Sequence, residues 1–269
     1  MSDQLPPELA AGLQRTRGRR GCFGNVVHFF TETESTNDRA TELAERGAPE
    51  GTTVIAGRQT GGRGRLGRSW YSPPDAGLYV SVVVRTREAF PLLTLAGGVA
   101  VADGIRAASA LPVDLKWPND VVVADERAPA RRRKVAGILA EATSDGTNVL
   151  HVVLGFGVNV RPASFPPDIG DRATCLETEL GRPVDPGGVL GETLALLAEN
   201  IAGLAQGHRA PLLARWRALA PTAVGSRVAW DASNARMFGI TDGIDDEGAL
   251  LVRAHGGRQR IISGEVTWI

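Results

Sequence analysis

Apolar and polar positions divide the chain into two unequal parts. Up to about residue 220, β-branched runs alternate with Leu/Ala-rich stretches of helical period; beyond it only short alternating runs remain. The pattern predicts strands over 25–30, 52–56, 78–85, 134–142 and 148–160, and helices over 39–46, 92–111, 189–205 and 211–219. Residues 113–123 read as strand, break, strand, because Pro118 lacks a backbone donor and restricts the residue before it. Past Pro221, five short strands separated by Gly/Asp/Glu turns predict a small β-barrel. The implied organisation is an N-terminal extension (1–24), an α/β body (25–220) and a small β domain (221–269). The cluster from Arg15 to Arg20 reads as solvated, and 125–133 as a polar, basic loop.

One stretch departs from both periods. Arg58-Gln-Thr-Gly-Gly-Arg-Gly-Arg-Leu-Gly-Arg-Ser-Trp70 holds four glycines and four arginines. Glycine lets a backbone approach a ligand closely, and arginine offers a planar fork of donors to carboxylate or phosphate oxygens. Residues 62–67 also fit G-x-G-x-x-G. A dinucleotide fingerprint needs a helix directly after the glycines, and Ser72-Pro-Pro-Asp-Ala-Gly77 opposes one. The stretch therefore reads as a mobile flap between two strands, with arginine side chains in the role of a helix N-terminus. The plain alternative is a basic surface loop.

Composition narrows the choice. Lys+Arg and Asp+Glu both number 30 in 269 residues, so global charge does not argue for nucleic acid or membrane, and any positive field is local. Cys22 and Cys175 lack metal spacing, and the four histidines are scattered, which argues against a zinc site. No signal core and no apolar run of membrane-spanning length is evident, so the expected setting is a reducing cytoplasm.

Three further groups could carry chemistry. Ser35-Thr-Asn37 sits at a strand-to-helix turn, where simple N-capping is a sufficient explanation. Lys116, Asn119 and Asp120 flank the break at Pro118, and an unpartnered lysine in an apolar strand is costly to bury. Lys134 opens a strand in which Gly137 implies close approach, and Asn159 is a polar residue in an apolar run.

Taken in order, Ser35-Thr-Asn37, Gln59 with Gly62–Arg68, Lys116-Trp-Pro-Asn-Asp120, Lys134-Val-Ala-Gly-Ile-Leu139 and Gly155-Phe-Gly-Val-Asn159 resemble the biotin protein ligases, as does the C-terminal part from Phe238 to Leu251. The resemblance implies an α/β fold, a mixed β-sheet flanked by helices and related to class II aminoacyl-tRNA synthetases, with a C-terminal SH3-like β-barrel. It implies biotin and ATP as substrates, Mg²⁺ as cofactor and the carrier domain of a biotin-dependent carboxylase as partner. On this likeness Ser35, Thr36, Asn37, Gln59, Arg63, Gly64, Arg65, Lys134 and Gly137 hold biotin. Arg65, Arg68, Trp70, Lys116 and Asn159 lie at the nucleotide, Lys134 and Arg63 are catalytic, and Asp120 approaches the metal. The implied type is monofunctional, without the DNA-binding domain and without DNA binding. Two departures stand out: Leu66 replaces a basic residue of many relatives, and the 125–133 stretch is long.

Other readings stay open on the residues alone. They are a related acyl-adenylate-forming transferase acting on lipoate or another acid, a ligand-sensing module without catalysis, and a nicotinamide oxidoreductase. The missing helix after the glycines weighs against the last.

Overall fold

The computed structural model describes residues 2–125, 128–232 and 235–269. In chain order the elements are α1 (Pro7–Arg15), β1 (Val27–Phe30), α2 (Thr36–Glu45), β2 (Thr53–Ala56), β3 (Gly77–Val84), α3 (Leu93–Ser109), β4 (Asp114–Lys116), β5 (Asp120–Asp125), β6 (Ala128–Ser144) and β7 (Val149–Asn159). Then follow α4 (Pro167–Gly170), α5 (Leu176–Leu180), α6 (Pro186–Ala205), α7 (Arg209–Leu219), β8 (Val224–Ala232), β9 (Ala235–Ile244), β10 (Leu250–Ala254), β11 (Gly257–Ile261) and β12 (Val266–Trp268).

β1 to β7 form one mixed sheet in the order β1-β2-β3-β7-β6-β5-β4. Only β1 and β2 pair in parallel; the other neighbours are antiparallel. The interior strand β3 is buried along almost its whole length, as expected for a strand covered above and below. One face carries Val80, Val82, Ile138 and Leu154 into the main core under α3 and α6. The opposite face packs Val54, Val83 and Val153 under Ala40 and Ala44 of α2. β8 to β12 form a second, antiparallel sheet in the order β11-β10-β9-β8-β12. Its buried side chains Val228, Trp230, Leu250 and Val252 join the main core.

The structure corrects three sequence expectations. Residues 120–125 and 128–144 pair as a hairpin, with Val123 opposite Arg133 and Ala124 opposite Arg132, so most of the expected 125–133 loop is strand. Residues 126 and 127 lie outside the described residues. The polar side chains hid the strand because one ladder face can stay polar. The 15–20 cluster is not uniformly solvated: Arg20 is buried, and its guanidinium donates to the carbonyls of Leu13 and Phe23 and to Thr16 Oγ1. It closes the C-terminal end of α1, whose last carbonyls lack helical partners. Arg87–Ser109 and Pro186–Ala205 are long and apolar enough to cross a membrane, contrary to the sequence reading; 72% and 50% of their apolar windows are buried inside the protein.

α1 lies across α6 through glycines. A Cβ on Gly12 would strike the Gly187 backbone, and one on Gly187 would strike the Glu8 carbonyl. Backbones can approach this closely only where side chains are absent.

Candidate functional site

The face of the sheet that α2 leaves uncovered is a floor of small residues. Register places Gly137 beside Gly157 and Tyr79 in one row, and Leu139 beside Gly155 and Ser81 in the next. A Cβ on Gly155 would collide with the Asn37 amide, and one on Gly157 with the Trp70 indole. The close approach at Gly155 and Gly157 is thus made by the protein's own side chains. Over this floor lies a cavity of about 480 Å³, within the range typical of small-molecule sites.

All the side chains singled out from the sequence line this one cavity: Ser35, Thr36, Asn37, Gln59, Arg63, Gly64, Arg65, Arg68, Trp70, Lys116, Asp120, Lys134, Gly137 and Asn159. They come from the start of α2, the flap and the strands, and segments far apart in the sequence are brought together here.

At one end is a neutral polar cluster. Ser35 occupies the N-cap position of α2, yet its side chain makes no capping bond. The backbone N–H of Thr36 is instead satisfied by Gln59 Oε1 at 2.8 Å. The expectation that simple capping explains the Ser-Thr-Asn turn therefore fails. Thr36 Oγ1 is 3.0 Å from Gln59 Oε1 and 2.7 Å from Ser81 Oγ, and Ser81 Oγ is 2.5 Å from Asn37 Oδ1. Three oxygen–oxygen contacts share two hydroxyl protons, so the cluster has acceptors to spare. It suits a ligand that brings N–H donors. Ser81 escaped the sequence reading; its only signal was a hydroxyl inside an otherwise apolar strand.

At the other end are cations. Lys134 Nζ is 2.6 Å from Asp120 Oδ1 and 5.0 Å from the centre of the Trp70 ring. A register shift between Val121 and Val122 brings this about, because it skips Val135 and turns Lys134 towards the same side as Gly137. The backbone of Lys134 is clamped as well, donating to Arg172 O at 2.7 Å. Lys116 faces Asp120 across the Pro118 turn and rests over the Trp268 ring at 4.7 Å. Burial lowers the Lys116 pKa below the ordinary lysine value; Asp120 opposes that shift, while Lys134, Arg172 and Arg132 add to it.

The flap is a short hairpin, with Arg63 bridged to Ser69 and Trp70 N–H donating to Gly62 O at 2.8 Å. Its arginines differ in what they hold. Arg63 pairs with Asp38 at 2.5 Å and with Glu141 at 2.9 Å, and Arg68 pairs with Glu265 at 2.5 Å. The Arg65 guanidinium has no hydrogen bond or ion pair among the described residues, and burial lowers its pKa. Leu66 stands exposed at the tip with φ of 57°. The Trp70 indole N–H is buried without a partner among the described residues. Asn159 is less free: its amide donates to Thr174 O at 3.0 Å.

The second sheet completes the wall. Glu265, Val266, Thr267 and Trp268 line the cavity, and Trp117 Nε1 donates to Gly248 O at 3.0 Å. Sequence reasoning gave these residues no role, since nothing in a short terminal strand reveals which neighbour it meets.

No group of three or more His, Cys, Asp or Glu suited to a metal occurs among the described residues. Asp120 and Glu265 are the carboxylates that line the cavity, and each already faces a cation. That donor set fits Mg²⁺ delivered on a polyphosphate, which needs only one or two protein carboxylates, and not a resident all-protein cage.

Comparison with known proteins identifies the family. Residues 29–159 match the Biotin/lipoate A/B protein ligase family, and 225–267 match the Biotin protein ligase C terminal domain. The chain is 34% identical over 266 residues to the bifunctional ligase/repressor BirA of Bacillus subtilis, covering 97% of this chain and 79% of that protein. It is 37% identical over 254 residues to the biotin–[acetyl-CoA-carboxylase] ligase of Mycobacterium tuberculosis, covering 90% and 88%. Among solved structures it resembles the biotin protein ligase from Aquifex aeolicus in complex with biotin and ATP, with a TM-score of 0.77 and 30% identity, covering 91% of this chain and 99% of that one.

Proposed function

Because the chain belongs to the biotin protein ligase family, we propose that it activates biotin with ATP and transfers the biotinyl group to one lysine of a biotin carboxyl carrier domain. The catalytic unit spans residues 25–220, and 221–269 supplies a further wall of the site.

The observation that carries this reading is the polarity of this cavity, acceptor-rich at one end and cationic at the other. The ureido group of biotin offers N–H donors to the oxygens of Thr36 and Asn37, which the buried Ser81 hydroxyl holds from behind, and Ser35 and Gln59 border the same end. The acidic tail then points at Lys134 and Arg65. A triphosphate beside it meets Lys116 and Arg68, with the base against Trp70 and Asn159. Gly64 and Gly137 let backbone and ligand come close.

In the first step a carboxylate oxygen of biotin attacks the α-phosphorus of ATP. The bond from that phosphorus to the bridging oxygen breaks, and pyrophosphate leaves. Two anions must be held side by side, so the protein's work is positioning and charge stabilisation. Arg65, whose guanidinium makes no hydrogen bond or ion pair among the described residues, is the flap arginine able to follow charge onto the phosphate. Lys134 can swing from Asp120 to meet the carboxylate; Asp120 would be the residue to hold Mg²⁺, which when bound would neutralise charge on the phosphates. In the second step the amine of the carrier lysine attacks the acyl carbon, the carbon–oxygen bond to phosphate breaks, and AMP departs. The flap shields the mixed anhydride from water in the interval.

Biotin-dependent exchange of pyrophosphate into ATP, followed by mass spectrometry of a carrier domain, tests the reading. One biotinyl mass gain on one lysine is expected; turnover with lipoate and none with biotin would overturn it.

A further inference from the structure

The flap has no reason of its own to lie over the cavity. It is glycine-rich, its ladder is two residues long, and ordering it costs conformational entropy. Something outside it must hold it, and the contacts at its two ends identify what.

At the far end, Gln59 Nε2 donates to Ser72 Oγ at 2.9 Å, and Ser72 Oγ donates to Trp70 O at 3.1 Å. At the near end, Arg63 reaches Asp38 on α2 and Glu141 on β6. Glu141 is the informative partner. The same carboxylate oxygen that takes Arg63 also accepts a hydrogen bond from the Asn37 amide. Asn37 Oδ1 is in turn fixed by Ser81, Ser81 meets Thr36, and Thr36 meets Gln59. The polar contacts therefore run unbroken from Arg63, through the neutral end of the cavity, to the flap's last residues.

We propose that Glu141 is a positioning residue that couples the flap to the head-group end of the cavity. Its carboxylate holds Arg63 in place and, through the Asn37 NH₂, fixes the Asn37 oxygen towards the ligand. Arg63 is then chiefly the anchor of the flap and Arg65 its working cation. The assignment rests on the biotin reading of the site, and it goes beyond that reading in naming a residue that does not line the cavity.

The geometry leaves Glu141 little other purpose. It projects from the face where its row neighbours Val153 and Val83 are wholly buried, yet about a third of its own side chain is exposed. An ordinary half-exposed ion pair adds little to stability. A latch, by contrast, changes ligand binding without changing the fold.

The test uses the full chain and the variants Glu141→Ala and Glu141→Gln. Four quantities are read: the melting temperature, the rate at which trypsin cuts the unliganded chain within the flap, the KM for biotin and the KM for ATP. For Glu141→Ala the expected results are flap cleavage and biotin KM each raised about 10-fold, the worth of a charge-assisted hydrogen bond at a partly exposed site. ATP KM stays within about twofold, and the melting temperature within the roughly 2–4 °C that 1 kcal/mol would produce. Glu141→Gln, which keeps an acceptor for Asn37, falls between. The proposal is overturned if cleavage and biotin KM stay within about twofold of the unsubstituted chain, or if melting temperature, biotin KM and ATP KM all worsen together. Cleavage of the unliganded flap needs no turnover. A chain that fails to activate biotin therefore defeats the functional reading while still reporting on Glu141.

Discussion

Lys134 Nζ and Asp120 Oδ1 stand 2.6 Å apart on neighbouring strands, with the centre of the Trp70 ring 5.0 Å from the ammonium. The pair is about one-third exposed on both sides, so it adds at most about 1 kcal/mol to stability. On the proposed function, its value lies in keeping a cation in the cavity until a substrate carboxylate arrives.

Replacing that lysine tests the point. Lys134→Ala is expected to fold normally and to lose biotin-dependent pyrophosphate exchange by about 100- to 1,000-fold, the size of effect seen when one preorganised donor is removed. Unchanged circular dichroism with that loss supports the role; exchange at the unsubstituted rate removes Lys134 from the chemistry.

Gly157 is occupied by the Trp70 indole to the point that a methyl group there would collide with it. Gly157→Ala should displace Trp70, open the flap and raise ATP KM, with a red shift of tryptophan emission as the ring meets water. Because four other tryptophans contribute, the shift is read against Trp70→Phe. An unshifted spectrum with normal ATP KM would show that the indole sits elsewhere.

Lys116 yields a pH prediction. Burial lowers its pKa, so the ammonium loses its proton below the usual 10.5. The charged form is the one that attracts phosphate, so kcat/KM for ATP should fall on the alkaline side, starting below 10.5. Lys116→Arg should carry that limb upward, since guanidinium stays protonated. Trp268→Leu, which removes the ring face under the ammonium, should raise ATP KM and leave biotin KM alone, because a cation–π contact is worth roughly 0.5–2 kcal/mol. A pH profile identical in Lys116→Arg would sink this assignment.

The N-terminal segment should matter for stability rather than chemistry. Arg20→Ala strands the buried carbonyls of Leu13 and Phe23, at about 1–3 kcal/mol each. Gly12→Ala forces α1 away from α6, typically about 1–3 kcal/mol. Both are expected to lower the urea midpoint without altering biotin KM. A drop in biotin affinity at constant stability would place α1 in the site instead.

Period and punctuation in the sequence determined the α/β body, the break at Pro118 and the change to short strands after Pro221, because those features are set by near neighbours. Type and order of motifs also pointed to the chemistry: glycines with arginines, then a lysine beside a glycine strand. Tertiary structure alone decided which arginine is free. Arg63, Arg65 and Arg68 are alike in the sequence; carboxylates on α2, β6 and the segment before β12 claim the first and the last. It also decided that Ser35 is not a side-chain cap, that Glu141 and Ser81 belong to the polar chain, and that Trp268 faces Lys116. Each of those facts depends on strand register or on packing between segments far apart in the chain, and local pattern carries no information about either.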